Sequence, residues 1–78
     1  MADIYTIQPD RLAFIRKAHP IVNEIYADQI LHDIGLRAAI DKARAMATVE
    51  PDHMWQGNRY WRTGDIIDAG QAYLAGRA

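Results

Sequence analysis

Apolar residues recur at helical spacing in four stretches of this chain, and proline, glycine and a cluster of aromatic rings separate them. Pro9 suits the first turn of a helix, where its missing N–H costs little. Leu12, Phe14 and Ile15 then give a short apolar face that runs to about Ala18. Pro20 ends that helix, because the residue before a proline resists the α conformation. The spacing of Ile21, Val22, Ile25, Tyr26, Ile30, Leu31 and Ile34 predicts a second helix starting at Pro20. Its polar face carries Asn23, Glu24, Asp28, Gln29, His32 and Asp33. Gly35 follows as a residue that tolerates a left-handed helix stop. A third, alanine-rich helix is expected from Leu36 to Thr48, with Leu36, Ile40, Ala43 and Ala47 as its buried stripe. Arg37, Lys42 and Arg44 decorate its outside, and Glu50-Pro51-Asp52 opens a loop.

The next stretch, Met54 to Arg62, holds both tryptophans of the chain. Gln56-Gly57-Asn58 is a turn in which Gly57 or Asn58 can take positive φ. Met54-Trp55 and Tyr60-Trp61 become the arms of a short hairpin. A lone hairpin is marginal in water, so it must lie on the helices or pair with Asp3 to Ile7, a short β-branched and aromatic segment. Thr63 or Asp65 caps a last helix whose inner face is Ile66, Ile67, Gly70, Tyr73 and Leu74. Gly70 weakens that helix by ~1 kcal/mol relative to alanine, and a close helix crossing is a reason to keep it. The expected fold is mainly α (α+β): a compact four-helix single domain over residues 1–78 with one short β-hairpin near residues 53–62.

Composition narrows the function classes. A chain of 78 residues with 50% hydrophobic and 24% charged residues is globular rather than disordered. With no cysteine, disulfides and thiolate metal sites are excluded, and a reducing cytoplasm is the expected location. No apolar run suits a signal peptide or a membrane span. A formal net charge of −1 disfavours a strong polyanion binder.

Chemistry is sparse. His19, His32 and His53 are scattered, and the i, i+4 pair Asp28 and His32 supplies too few ligands for a metal site. Asp52 beside His53 could act as an acid–base pair, but no nucleophile stands near it in sequence. No catalytic residue, metal or cofactor is expected. The richer signal is the aromatic–arginine stretch. Tryptophan, tyrosine and arginine are enriched at binding hot spots because they bury much area and still hydrogen-bond. Trp55, Arg59, Tyr60, Trp61 and Arg62 are therefore the candidate partner contacts, with Glu24 and Asp28 as a second, acidic patch. Alternation along a strand sends Tyr60 and Trp61 to opposite faces, so one ring packs inward and the other stays outside.

Small size, absence of cysteine and exposed aromatic–arginine candidates resemble the small proteins of phages and mobile elements, including anti-CRISPR proteins. The resemblance is one of size and composition, with no residue correspondence. It implies a small soluble inhibitor that blocks a larger host nucleic-acid-handling complex sterically, by occupying a protein surface. The residues themselves support a non-catalytic protein-binding module, monomeric or homodimeric. The alternative is a small winged-helix-like DNA-binding regulator or antitoxin, with Arg37, Lys42 and Arg44 on a recognition helix and Arg59 and Arg62 on the wing. Nucleic acid is the less favoured partner, because the net charge is negative and Asp41 sits among those bases.

Overall fold

The structure, a computed structural model, describes residues 9–77. The Asp3–Ile7 segment weighed as a third strand lies outside the described residues. The elements run α1 (Pro9–Ala18), β1 (Ile21–Asn23), α2 (Glu24–Asp33), α3 (Ala39–Ala47), β2 (His53–Trp55), β3 (Asn58–Arg62) and α4 (Thr63–Arg77). Four helices and a small antiparallel sheet make the mainly helical fold expected from the sequence.

The largest departure is at Ile21–Asn23. These residues form a strand against β3, with Ile21 opposite Arg62, Val22 opposite Trp61 and Asn23 opposite Tyr60. The sheet order is β1-β3-β2, so β3 is central. The second helix therefore starts at Glu24 rather than Pro20. Asn23 makes the switch possible: its extended backbone ends the strand, and its side-chain oxygen accepts from the Tyr26 N–H at 2.8 Å as the helix N-cap. Strand passes into helix with no loop between them. At the far end of α2, Gly35 takes φ of 125°. The Leu36 N–H reaches the Leu31 carbonyl at 2.9 Å and the Gly35 N–H reaches His32 at 3.1 Å, a Schellman stop that drives Leu36 into the core.

One apolar cluster joins the elements. Ile15 of α1, Val22 of β1, Ile30 and Leu31 of α2, Trp61 of β3 and Ile66 and Ile67 of α4 all belong to it. The α4 face is the one read from the sequence. The α3 face is not. Ala45 and Met46 are buried, whereas Ile40 is 59% exposed and Ala43 and Ala47 are exposed. Of the expected stripe only Leu36 is inside, and it precedes the helix. Phe14, counted with the inner face of α1, is exposed. Gly70 does mark a close crossing: a Cβ there would lie 2.4 Å from Ile34 Cδ1 and 2.6 Å from Leu31 Cδ2.

The hairpin turns at Gln56 and Gly57, with φ of 50° and 79°. Two consecutive positive φ values in a two-residue loop are the type I′ pattern, whose twist matches that of the strands. Gln56 carries a Cβ into the left-handed region, where asparagine is better tolerated. Gln56→Asn is expected to stabilise the fold by about 0.5 kcal/mol, raising the melting midpoint by about 2–4 °C. A thermal melt followed by circular dichroism checks this; a lower midpoint would contradict the turn geometry.

Candidate functional site: the hairpin and the outer sheet face

The sheet sorts the aromatic–arginine stretch onto two faces. Strand alternation sets the sorting, because successive side chains point to opposite sides. On the inner face Trp61 is 1% exposed and opposite Val22. Its indole Nε1–H donates to the Val49 carbonyl at 3.1 Å, so the one polar atom of the ring is satisfied. Trp61 is thus a core residue in this fold, and its expected role as a contact anchor is corrected. The cause is its place on the central strand, with helices α2 and α4 packed against β3.

Arg59 lies on the same inner face, two residues back. Its guanidinium carbon sits 5.0 Å from the Trp61 ring centroid, and its Nη2 pairs with Glu24 Oε1 at 3.1 Å. The arginine therefore roofs the buried ring and ties the hairpin to the start of α2. Asp28, one turn on from Glu24, pairs with Lys42 of α3 at 3.1 Å. Glu24 and Asp28 line an open cleft of ≈ 450 Å³ with Ile25, Met46 and Asn58. The expected acidic patch exists as a surface, but each carboxylate already has a basic neighbour. Ile25, placed on the apolar face of its helix by the sequence reading, is 82% exposed.

The outer face holds the rest. Trp55 is 60% exposed. Tyr60 stacks on His53, its cross-strand partner, with ring centroids 5.0 Å apart and planes within 3°. His53 Nδ1 lies 3.2 Å from Asp52 Oδ2, and Arg62 Nε donates to Asp52 Oδ1 at 3.1 Å. Ile21 and Asn23 complete this face from β1, and both are exposed. No described helix covers it. Among the sequence-predicted contacts, Trp55, Tyr60 and Arg62 are brought together here, while Arg59, Trp61, Glu24 and Asp28 are not. His53 and Asp52 join the outer group, having been weighed only as an acid–base pair. Ile21 joins it because β1 is a strand, which the helical spacing concealed.

Hydrogen bonding from His53, then from Arg62, holds the Asp52 carboxyl below its ordinary value of 3.8. A carboxylate with a lowered folded-state pKa contributes stability above its unfolded pKa and loses it as pH falls through the folded value. The Asp52 link to His53 and Arg62 is therefore intact at neutral pH and releases only on strong acidification. An NMR titration of the Asp52 carboxyl is expected to show a midpoint under 3.8. The midpoint should rise in His53→Ala; no movement would mean the two groups do not interact.

Among the described residues no group of three or more His, Cys, Asp or Glu is placed to hold a metal ion. Nor is any described helix long and apolar enough to cross a membrane. Comparison of the chain with protein-family models, with curated proteins and with solved structures gives no match, so the reading of this face rests on its own geometry.

Proposed function

We propose that this chain is a non-catalytic protein-binding module that acts by occupying the surface of a larger partner. One observation carries the reading: a sheet face that no described helix covers presents Trp55, Tyr60, His53 and Ile21 together on a three-stranded frame. Trp55 is the anchor, because a large exposed indole gains most from burial in a partner pocket. Tyr60 lies diagonally across from it, and Arg62 lies two residues further along β3 on the same face. The indole of Trp61 acts from below by fixing the strand.

The DNA-binding alternative has one observation in its favour. The order helix, strand, helix, helix, hairpin, with β1 set against the second hairpin strand, is the element order of a winged helix-turn-helix. The residues on the corresponding surfaces argue against it. The exposed face of α3 carries Ile40, Ala43 and Ala47 with Arg44, too few polar side chains to read base edges. Lys42, Arg59 and Arg62 pair with Asp28, Glu24 and Asp52, so phosphate contacts would have to break existing ion pairs.

The test is capture of partners from nuclease-treated bacterial lysate by the tagged protein and by Trp55→Ala. Loss of a hot-spot tryptophan costs about 2 kcal/mol or more, a fall of about thirtyfold in affinity. The variant should lose its partner while its melting curve stays that of the parent. Equal capture by both proteins would refute the site. Capture that disappears with nuclease, or a steep loss of binding with added salt, would favour the DNA-binding reading.

A further inference from the structure

The backbone of β2 is satisfied on one side only. Strand β3 is central, and β2 pairs with no other described strand. Hydrogen-bond phase decides which groups face outward. Trp55 and Asn58 bracket the two-residue turn, so they exchange both backbone bonds, and His53 and Tyr60 do the same one period on. Met54 and Arg59 are the non-bonded pair between them. The Met54 N–H and carbonyl therefore point away from β3. The opposite edge of the sheet is spent differently. The Thr63 N–H donates to the Pro20 carbonyl, so Val22 faces β3 while Ile21 and Asn23 face outward. Asn23 is also the N-cap of α2, and the carbonyl of an N-cap accepts the first bond of its helix.

Sheet edges are commonly guarded by a lysine, a proline or a bulge. His53-Met54-Trp55 has only its shortness. All three residues are exposed, Met54 by 59% and Trp55 by 60%. The strand is also complementary to itself. With a second β2 placed antiparallel across a two-fold axis at Met54, the outward N–H and carbonyl of the two Met54 residues answer each other as a bonded pair. On one face the two Met54 side chains meet. On the other, Trp55 of each copy comes opposite His53 of the other, whose ring already stacks on Tyr60. Gln56 comes opposite Asp52, so no like charges are opposed. A register one residue away sets Met54 against His53 or Trp55, whose backbone groups already bond β3.

We infer that two copies of this chain associate through β2 in this register and join their sheets into one of six strands. The two-fold axis is perpendicular to the joined sheet, so both outer faces lie on the same side. The inference goes beyond the protein-binding reading and does not rest on it. Two three-residue strands bury far less than a standard interface, so the association is weak, with a dissociation constant of about 100 µM.

The experiment is sedimentation equilibrium of the full chain from about 10 µM to about 1 mM. The mass is expected to climb from that of one chain, 8.9 kDa, toward twice that value and no further. Met54→Glu sets a carboxylate beside Arg59 of its own chain and against its twin across the axis. The variant should keep the parent's melting curve in dilute solution and raise the dissociation constant about tenfold or more. The register is read by NMR on a mixture of isotope-labelled and unlabelled parent chains. An Hα–Hα contact between His53 of one copy and Trp55 of the other is expected, because a non-bonded antiparallel pair brings those protons together. A monomer at the highest concentration, a mass beyond two chains, or a folded Met54→Glu that associates like the parent would overturn the inference. So would a parent dimer without the His53–Trp55 contact, whatever the fold of the variant. No partner is present in these measurements, so their failure leaves the capture test of Trp55→Ala standing, and failure of that test leaves the dimer standing.

Discussion

Trp61→Ala is expected to remove most of the protein's folding stability at 25 °C. The ring is 1% exposed, packs opposite Val22 on the central strand and donates to the Val49 carbonyl. Deleting a buried tryptophan costs about 3–5 kcal/mol, from lost transfer energy and from the cavity that remains. Removing the donor also leaves the Val49 carbonyl without its indole partner, and Arg59 without the ring it roofs. Domains have about 5–15 kcal/mol in total, and a chain of this length buries too little surface to lie at the top of that range. Trp55→Ala, by contrast, removes an exposed ring and should change stability by less than about 0.5 kcal/mol. Urea unfolding of the two variants side by side gives the contrast. A Trp61→Ala midpoint close to the parent's would mean that this ring is not the centre of the core, and the sorting of the hairpin residues would have to be reversed.

Gly70→Val is the second large effect. The crossing of α2 and α4 leaves no space at this position: a Cβ would come within 2.6 Å of both the Ile34 and Leu31 terminal methyl groups. Each methyl ends a flexible side chain, but both side chains are buried and have little free volume to enter. Alanine gains ~1 kcal/mol of helix propensity over glycine. Overpacking costs typically about 1–3 kcal/mol, so Gly70→Ala should lose about 1 kcal/mol on balance. Valine adds two further methyl groups and a stiff, branched Cβ, and should lose about 3 kcal/mol. Gly76 provides the control, since a Cβ there meets nothing within 4 Å. Gly76→Ala should be neutral or slightly stabilising. If Gly70→Val melted with the parent, the helices would have to stand further apart than they do.

These two positions also show what the sequence could and could not disclose. Gly70 was legible because a glycine inside a regular helical pattern needs a reason, and close packing is the commonest one. The α4 face and the Gly35 stop were legible on similar local grounds. Trp61 was placed among the partner contacts although it is core, because alternation states that one of two neighbouring rings goes inside without stating which. The choice depends on which side of the sheet the helices cover, and that is a tertiary fact. Ile21 and Val22 were hidden for another reason. Both continue the helical spacing of α2, and both are β-branched, so the local signal is balanced. Pairing with Arg62 and Trp61, about forty residues away, decides it in favour of a strand. In α3 the alanines carry almost no preference for inside or outside, so the position of Met46 and the Lys42–Asp28 pair set the rotation of the helix. The candidate site suffered most from this: a compact run of contacts in sequence became two groups on opposite faces of a sheet.

The pairing of β1 with β3 has a consequence for how the chain holds together in time. The central strand is joined to one neighbour by a two-residue turn and to the other only through the whole of α2 and α3. Thr63 strengthens that distant link, since its hydroxyl donates to the His19 carbonyl and its N–H donates to the Pro20 carbonyl. A nick in the 48–52 loop would therefore leave two fragments, each lacking a strand that the other supplies. Neither would keep a covered core alone, yet together they present complementary surfaces. The two pieces of a nicked chain are therefore expected to regain the fold only as a pair, since the β1–β3 pairing spans them.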